Sequence, residues 1–303
     1  MRLIFAGTPD AAVPSLEALL ASRHEVAAVL TRADAPRGRG RRLEESPVSR
    51  FAKEAGLSVL TPRSLRDAEA QELVADLGAD AAAVVAYGLL VPPALLALHP
   101  WVNLHFSLLP RWRGAAPVQR AILAGDTVTG ACAFLLEEGL DTGPVLASLR
   151  RTIGPRETAE EVLDDLAHAG ADLLVAAFDA LEDGTATPVP QADDGVTLAP
   201  RLTTAEARIR WAAGPDAVDR QVRAFHPGAW TMLSTGQRVK VGPVEPAGTP
   251  LAPGEVAVDG DVYVGTGTGS VRLTTLAPAG KAWMDARAWA RGLRGPVRFE
   301  DAP

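Results

Sequence analysis

Across the first 180 residues short apolar runs alternate with amphipathic stretches, and this alternation is the mark of a parallel sheet joined by crossover helices. The candidate strands are Leu3–Ala6, Val26–Leu30, Ala81–Ala86 and Val102–His105. Pro9 follows Gly7-Thr8 and opens a helix to about Ala21, with Thr8 expected as its cap. This strand, turn and helix has the outline of a dinucleotide fold. It lacks the later glycines of the pyrophosphate fingerprint, so no NAD site is expected.

Apolar residues recur at helical spacing from Thr158 to Leu181, which predicts one long helix closing the first domain. The pattern then stops. Gly184 to Pro200 is rich in proline and polar residues and reads as a linker. Beyond it lies a helical stretch at Pro215–Phe225. Short alternating runs follow at Arg238–Val241, Val256–Val258, Val262–Val264 and Val271–Leu276, which together suggest a small OB-like β-barrel. The expected architecture is therefore an α/β, Rossmann-like domain over residues 1–183, a linker at 184–202, and a barrel domain over 203–303.

No apolar run reaches the roughly 20 residues needed to cross a bilayer. Arg2-Leu3-Ile4-Phe5-Ala6-Gly7 reads as a first strand and not as a cleavable signal, so the cytoplasm is the expected compartment and no membrane partner is expected. Cys132 is the only cysteine, which excludes an intrachain disulfide and a cysteine-based metal cluster. On a strand between two alanines it reads as a small buried apolar residue. His24, His99, His168 and His226 are scattered, and no metal is expected. Gly265 to Ser270 has the glycines of a phosphate loop without the following lysine, and its flanks mark a hairpin turn. The chain carries a net charge of −7, divided unevenly: residues 1–200 hold −10 and residues 201–303 hold +3. A mildly basic module thus follows an acidic body.

The densest group of reactive residues lies at the end of the Val102 strand, where ligands of parallel α/β sheets bind. Asn103 and His105 are two apart on an extended chain and project to the same face, so an amide donor and an imidazole can meet one developing oxyanion. For an isolated pair the commoner use is structural, a turn cap and a buried hydrogen-bonded ring. The glycine-rich turn at Gly139 to Pro144 would bring Asp141 within reach of His105 and raise the ring's pKa. An Asx turn is the plainer reading of the same aspartate.

Asn-x-His followed by Ser-Leu-Leu-Pro, with a downstream aspartate turn, resembles the 10-formyltetrahydrofolate-dependent formyltransferases. The longer string from Ser107 to Pro117 is similar to the branch of that family that formylates methionine carried on initiator tRNA. Phe5 to Asp10, Gly38-Arg39-Gly40 with Ser46-Pro47-Val48, Val85 to Gly88, Glu206 to Ile209 and Pro278 to Lys281 carry the same resemblance, so it runs from the first strand into the C-terminal module. The resemblance implies 10-formyltetrahydrofolate as formyl donor, no metal, and a charged initiator tRNA as acceptor. It places Asn103, His105 and Asp141 on the family's catalytic residues. Ser107, Leu108, Leu109 and Pro110 fall on its folate-binding segment, with Tyr87 and Gly88 helping to wall the pterin pocket. Protonated His105 and Asn103 would both donate to the formyl oxygen.

The segment from Arg32 to Arg42 carries five arginines against one acid, interrupted by glycines. Such a loop can drape over phosphates, although a solvated surface loop is the ordinary reading. The resemblance makes it the family's tRNA-engaging insertion, with Arg39, Arg41 and Arg42 as contacts. Glu44-Glu45 departs from the family pattern just beyond. In the basic module Lys281 is the first candidate tRNA contact, and Arg287, Arg291 and Arg294 are expected on one helix face. A monomer is expected. Two rival readings share parts of this pattern: formyl transfer to another amine, on a ribonucleotide or nucleotide sugar, and a nucleic-acid-binding module with a silent α/β domain.

Overall fold

Leu3, Ile4, Phe5 and Ala6 are completely buried, and so are Ala81, Ala82, Ala83 and Val85. Strands buried on both faces are what a parallel sheet covered by helices requires. The computed structural model describes residues 1–37 and 42–302. They fall into two units. The first comprises Met1–Pro117, Val128–Thr152 and Leu163–Ala199, and the second Val118–Thr127, Ile153–Val162 and the chain from Pro200 onward.

The first unit is built on seven strands: β1 (Arg2–Gly7), β2 (Glu25–Leu30), β3 (Val59–Leu60), β4 (Ala81–Val85), β5 (Trp101–His105), β6 (Val128–Leu135) and β7 (Val145–Thr152). Their order across the sheet is β7-β6-β5-β4-β1-β2-β3. The first five are mutually parallel, and β6 and β7 are antiparallel additions at one edge. The direction of winding reverses between β1 and β4, which opens a crevice at their carboxyl ends.

Gly7 makes the turn out of β1, where a Cβ would come within 2.7 Å of the Phe5 ring and 2.9 Å of Ala12. The helix that follows is a short 3-10 turn, Asp10–Ala12, continued by α1 (Val13–Leu20). Thr8 does not cap it. Its hydroxyl instead donates to the Tyr87 carbonyl at 2.9 Å, tying the end of β1 to the end of β4 across the crevice.

The long helix expected from periodicity is present as Ala159–Glu182. The stretch from 184 to 199, most of the expected linker at 184–202, is bound into the first unit. Val189 bridges Val145, Leu198–Ala199 pairs with Arg113–Gly114, and Thr197 accepts from the Trp112 amide through its hydroxyl at 2.8 Å. Composition marks that stretch as irregular, and irregular chain is still held where its backbone polar groups find partners.

The second unit holds a five-stranded and a four-stranded antiparallel sheet. The run Val271–Leu276, expected as one strand, is two: Ser270–Leu273 lies in the smaller sheet and Thr275–Pro278 in the larger. The hairpin expected around Gly265 is present, with Gly265 opposite Ser270. Both sheets and the helix Pro215–Phe225 share one core, in which Val241, Val264, Val271 and Leu276 are completely buried. Phe299 stacks on Trp211 and on Trp289, with ring centroids 5.4 and 6.0 Å away.

Candidate active site

β5 ends in Asn103-Leu104-His105, and the register with β6 sets Asn103 against Phe134 and His105 against Cys132. The two polar side chains therefore share a face, as period-two geometry requires. The β6–β7 connection returns over the sheet and brings Asp141 to the same place. Its Oδ2 lies 3.7 Å from His105 Nδ1 and accepts the Gly114 amide at 2.7 Å. Asn103, His105 and Asp141 line one cleft of about 480 Å³.

Two carboxyl-end segments supply much of the wall of that cleft, with Gly114, Ala115 and Pro117 adding to it. Val84, Ala86, Tyr87, Gly88, Leu89, Leu90 and Val91 come from the end of β4, and Leu136 to Leu140 from the connection after β6. Most of the wall is apolar, with a few convergent polar groups, which is the make-up of a small-molecule site. Leu90 and Leu140 are 70% and 58% exposed at its rim. The Tyr87 hydroxyl is buried with no hydrogen-bond partner among the described residues, and burial pushes its pKa up to about 12.

The backbone around the cleft is unusual. Ala86, Trp112 and Asp141 have φ of 47°, 64° and 50°. Side chains rarely adopt this region, and holding each there costs on the order of 1–3 kcal/mol. Gly114, with φ of 124°, sits where a Cβ would strike the Ala199 carbonyl at 2.7 Å, which brings its amide to Asp141.

His105 Nε2 lies 2.8 Å from the Trp112 carbonyl. A carbonyl only accepts, so Nε2 carries the proton. Burial lowers the ring's pKa and outweighs the opposing pull of Asp141 and of the Trp112 carbonyl. The raised pKa expected from sequence is thereby reversed. The reason is geometric: the ring is 6% exposed, and Asp141 stands beyond hydrogen-bond distance with an oxygen already engaged by Gly114. At neutral pH the ring is neutral, with its lone pair on Nδ1, the nitrogen facing Asp141. Among the described residues the Asn103 carboxamide has no hydrogen-bond partner.

The other residues singled out from sequence are distributed differently. Tyr87 and Gly88 lie in the cleft. The Ser107 hydroxyl is fully buried and donates to the Arg111 carbonyl at 2.6 Å, holding its own turn. Leu108, Leu109 and Pro110 line a separate cavity of about 410 Å³ with Cys132, Val145 and Gln191. Cys132 is a buried free thiol, with its pKa raised by burial. Lys281 is exposed on the turn after Thr275–Pro278. Arg39 and Arg41 lie outside the described residues, as does the side chain of Arg42. Glu45 pairs with Lys53 at 2.7 Å. The helix expected to carry three arginines is only Ala286–Ala290, because Gly292 and Gly295-Pro296 follow it closely. Arg287 on it is paired with Asp261 at 2.6 Å, and Arg294 lies beyond its end.

Folding also gathers groups that are distant in sequence. His24 meets Asp179 and Glu182 on the helix Ala159–Glu182, but Arg23 already pairs with both carboxylates, at 2.6 and 3.0 Å. The apolar walls of the cleft and the ties at Thr8, Gly114 and Thr197 were not found by sequence reasoning. Nothing in the residue types marks them, since each acts through a partner tens of residues away.

A formyl transferase model matches residues 1–178 and the formyl transferase C-terminal domain matches residues 201–294, and the chain belongs to this family. Within it the similarity to methionyl-tRNA formyltransferases extends across both domains. That of Salinispora arenicola is 54% identical and covers 98% of each chain. That of Mycobacteroides abscessus is 54% identical over 97% of each. Among solved structures the fold is similar to HypX from Aquifex aeolicus in complex with tetrahydrofolic acid, with a TM-score of 0.66, 20% identity, and coverage of 97% of this chain and 47% of that one. It is similar also to WlaRD, a sugar 3N-formyl transferase, with a TM-score of 0.67, 15% identity and coverage of 93% and 99%.

Proposed function

We propose that this protein transfers the formyl group of 10-formyltetrahydrofolate to the amino group of methionine on initiator tRNA. Identity of 54% to methionyl-tRNA formyltransferases over both domains, together with Asn103, His105 and Asp141 on one cleft, carries the reading. The cleft suits the folate. Its apolar walls suit a flat heterocycle, and the orphaned Tyr87 hydroxyl offers a polar contact within them.

Bound folate supplies the formyl carbon. Asn103, with its carboxamide uncommitted, donates to the formyl oxygen as charge grows there. His105, neutral and anchored through Nε2–H on Trp112, takes a proton from the attacking amine at Nδ1. Asp141 stabilises the imidazolium so formed from 3.7 Å, and the proton then passes to the folate nitrogen as its bond to the formyl carbon breaks. In this reading His105 serves as the base and Asn103 alone as the oxyanion donor. That differs from the two-donor arrangement expected from sequence.

The arginines Arg39, Arg41 and Arg42 and the exposed Lys281 contact the tRNA. No described helix is long and apolar enough to cross a membrane. In this reading the protein works in the cytoplasm as a single copy. Transfer of labelled formyl from 10-formyl-folate to charged initiator tRNA tests the proposal. Label appearing on a free ribonucleotide or nucleotide-sugar amine, and not on the tRNA, would refute it. No transfer to any amine would favour the silent binding module.

A further inference from the structure

Gln191 lies in the stretch whose composition reads as a linker, yet its carboxamide has no unused hydrogen-bonding capacity. Nε2 donates to the carbonyls of Asp141 and Gly143, each at 2.8 Å. Oε1 accepts from Arg113 Nε at 3.1 Å and from its terminal nitrogen at 2.7 Å. Two donors and two acceptor sites are what an amide possesses, and here they join two separate segments of the first unit.

Both segments bear on His105. One carries Trp112, whose carbonyl holds Nε2–H, and Gly114, whose amide holds Asp141. The other carries Asp141 itself, facing Nδ1 with its backbone at φ 50°. A turn kept in a sparsely populated conformation needs its surroundings to hold it there, and the two donations from Gln191 fall on that turn. We propose that Gln191 is a positioning residue for the formyl-transfer site, clamping the Asp141 turn to the Arg113 segment so that the carboxylate stays opposite the imidazole. The inference rests on the function proposed above.

The clamp requires an amide and not merely a side chain of that length. A glutamate there keeps an acceptor for Arg113 but sets a carboxylate against two carbonyl oxygens. An alanine leaves two carbonyls and a guanidinium without their partner. The charged groups facing the His105 cleft are Asp141, Glu137 and Glu138, and its neutral polar neighbours are Asn103 and Tyr87. Of these acids Asp141 is the one that Gln191 holds.

The test uses the full-length chain as Gln191→Ala and as Gln191→Glu. Formylation of charged initiator tRNA is followed across pH, and the His105 ring is titrated by NMR. Misplacement of a reacting group by about 1 Å can cost up to about 10²-fold, so kcat is expected to fall by at least ~10-fold in both variants, while KM for the folate changes by less than about threefold. In Gln191→Ala the His105 titration moves to lower pH, because the carboxylate that opposes the effect of burial is no longer held in place. A residue that only supported folding would leave that titration where it is.

Folded variants with the parent kcat and the parent His105 titration would overturn the proposal, and so would Gln191→Glu with full activity. Should the parent protein fail to formylate tRNA, the functional reading falls instead. The His105 titration still decides the role of Gln191, since it needs no substrate.

Discussion

His105 Nε2 lies 2.8 Å from the Trp112 carbonyl, and this contact assigns the ring's proton to the nitrogen away from Asp141. Nδ1 is left as the base. Because burial lowers the ring's pKa below its ordinary 6.5, activity at constant substrate saturation should be flat at neutral pH and fall on an acid limb lying below 6.5. The same shift has a stability sign. The folded chain binds the proton less readily than the unfolded one, so the His105 contribution is fully present above pH 6.5 and is lost as pH falls toward the folded-state pKa. A pH–rate profile whose acid limb lies above pH 7 would contradict the assignment.

Asn103 has no hydrogen-bond partner among the described residues and lines the cleft beside His105. Asn103→Ala should lower kcat by roughly 10²–10³-fold, the usual consequence of removing one oxyanion donor. Folate affinity, measured by equilibrium titration, should change little, since the contact strengthens only as charge develops. Turnover near the parent value would take Asn103 out of the chemistry.

Tyr87 is 2% exposed and its hydroxyl has no partner among the described residues. A buried hydroxyl without a hydrogen bond costs about 1–3 kcal/mol of desolvation. Tyr87→Phe in the folate-free protein should therefore leave the melting temperature unchanged or raise it, while weakening folate binding. Calorimetry with and without folate separates the two effects, and a lower melting temperature without folate would show that the hydroxyl is already satisfied.

Phe299 is 1% exposed and stacks on both Trp211 and Trp289. Phe299→Ala removes that ring from the core of the second unit and should cost about 3–5 kcal/mol. Denaturant titration should show a lower midpoint for that unit at an unchanged slope. A loss under about 1 kcal/mol would mean that the neighbouring tryptophans close the space, which the narrow rotamer choice of large rings disfavours.

The parts of the site legible in sequence were those written in short strings. Asn103 and His105 share a face because they are two apart on a strand, and that is local geometry. The glycines around Asp141 announced a turn. What the turn faces, and which nitrogen of His105 holds the proton, depended on Trp112 and Gly114 arriving from a loop with its own unusual backbone. Leu108, Leu109 and Pro110 follow the strand directly, yet they line a different cavity from Tyr87, because the chain turns away from the cleft after Phe106.

The sequence alone determined the class of each domain, four of the seven strands and the long helix of the first, and the family. Periodicity and motif spacing are set within a few residues of one another, so a linear reading recovers them. Tertiary structure alone decided the direction of the His105 pKa shift, the walls of the cleft and the fate of residues 184–199. Each of these depends on burial or on hydrogen bonds between segments far apart in the chain. Gln191 joins Asp141 to Arg113 across intervals of 50 and 78 residues, and no local pattern encodes such a contact.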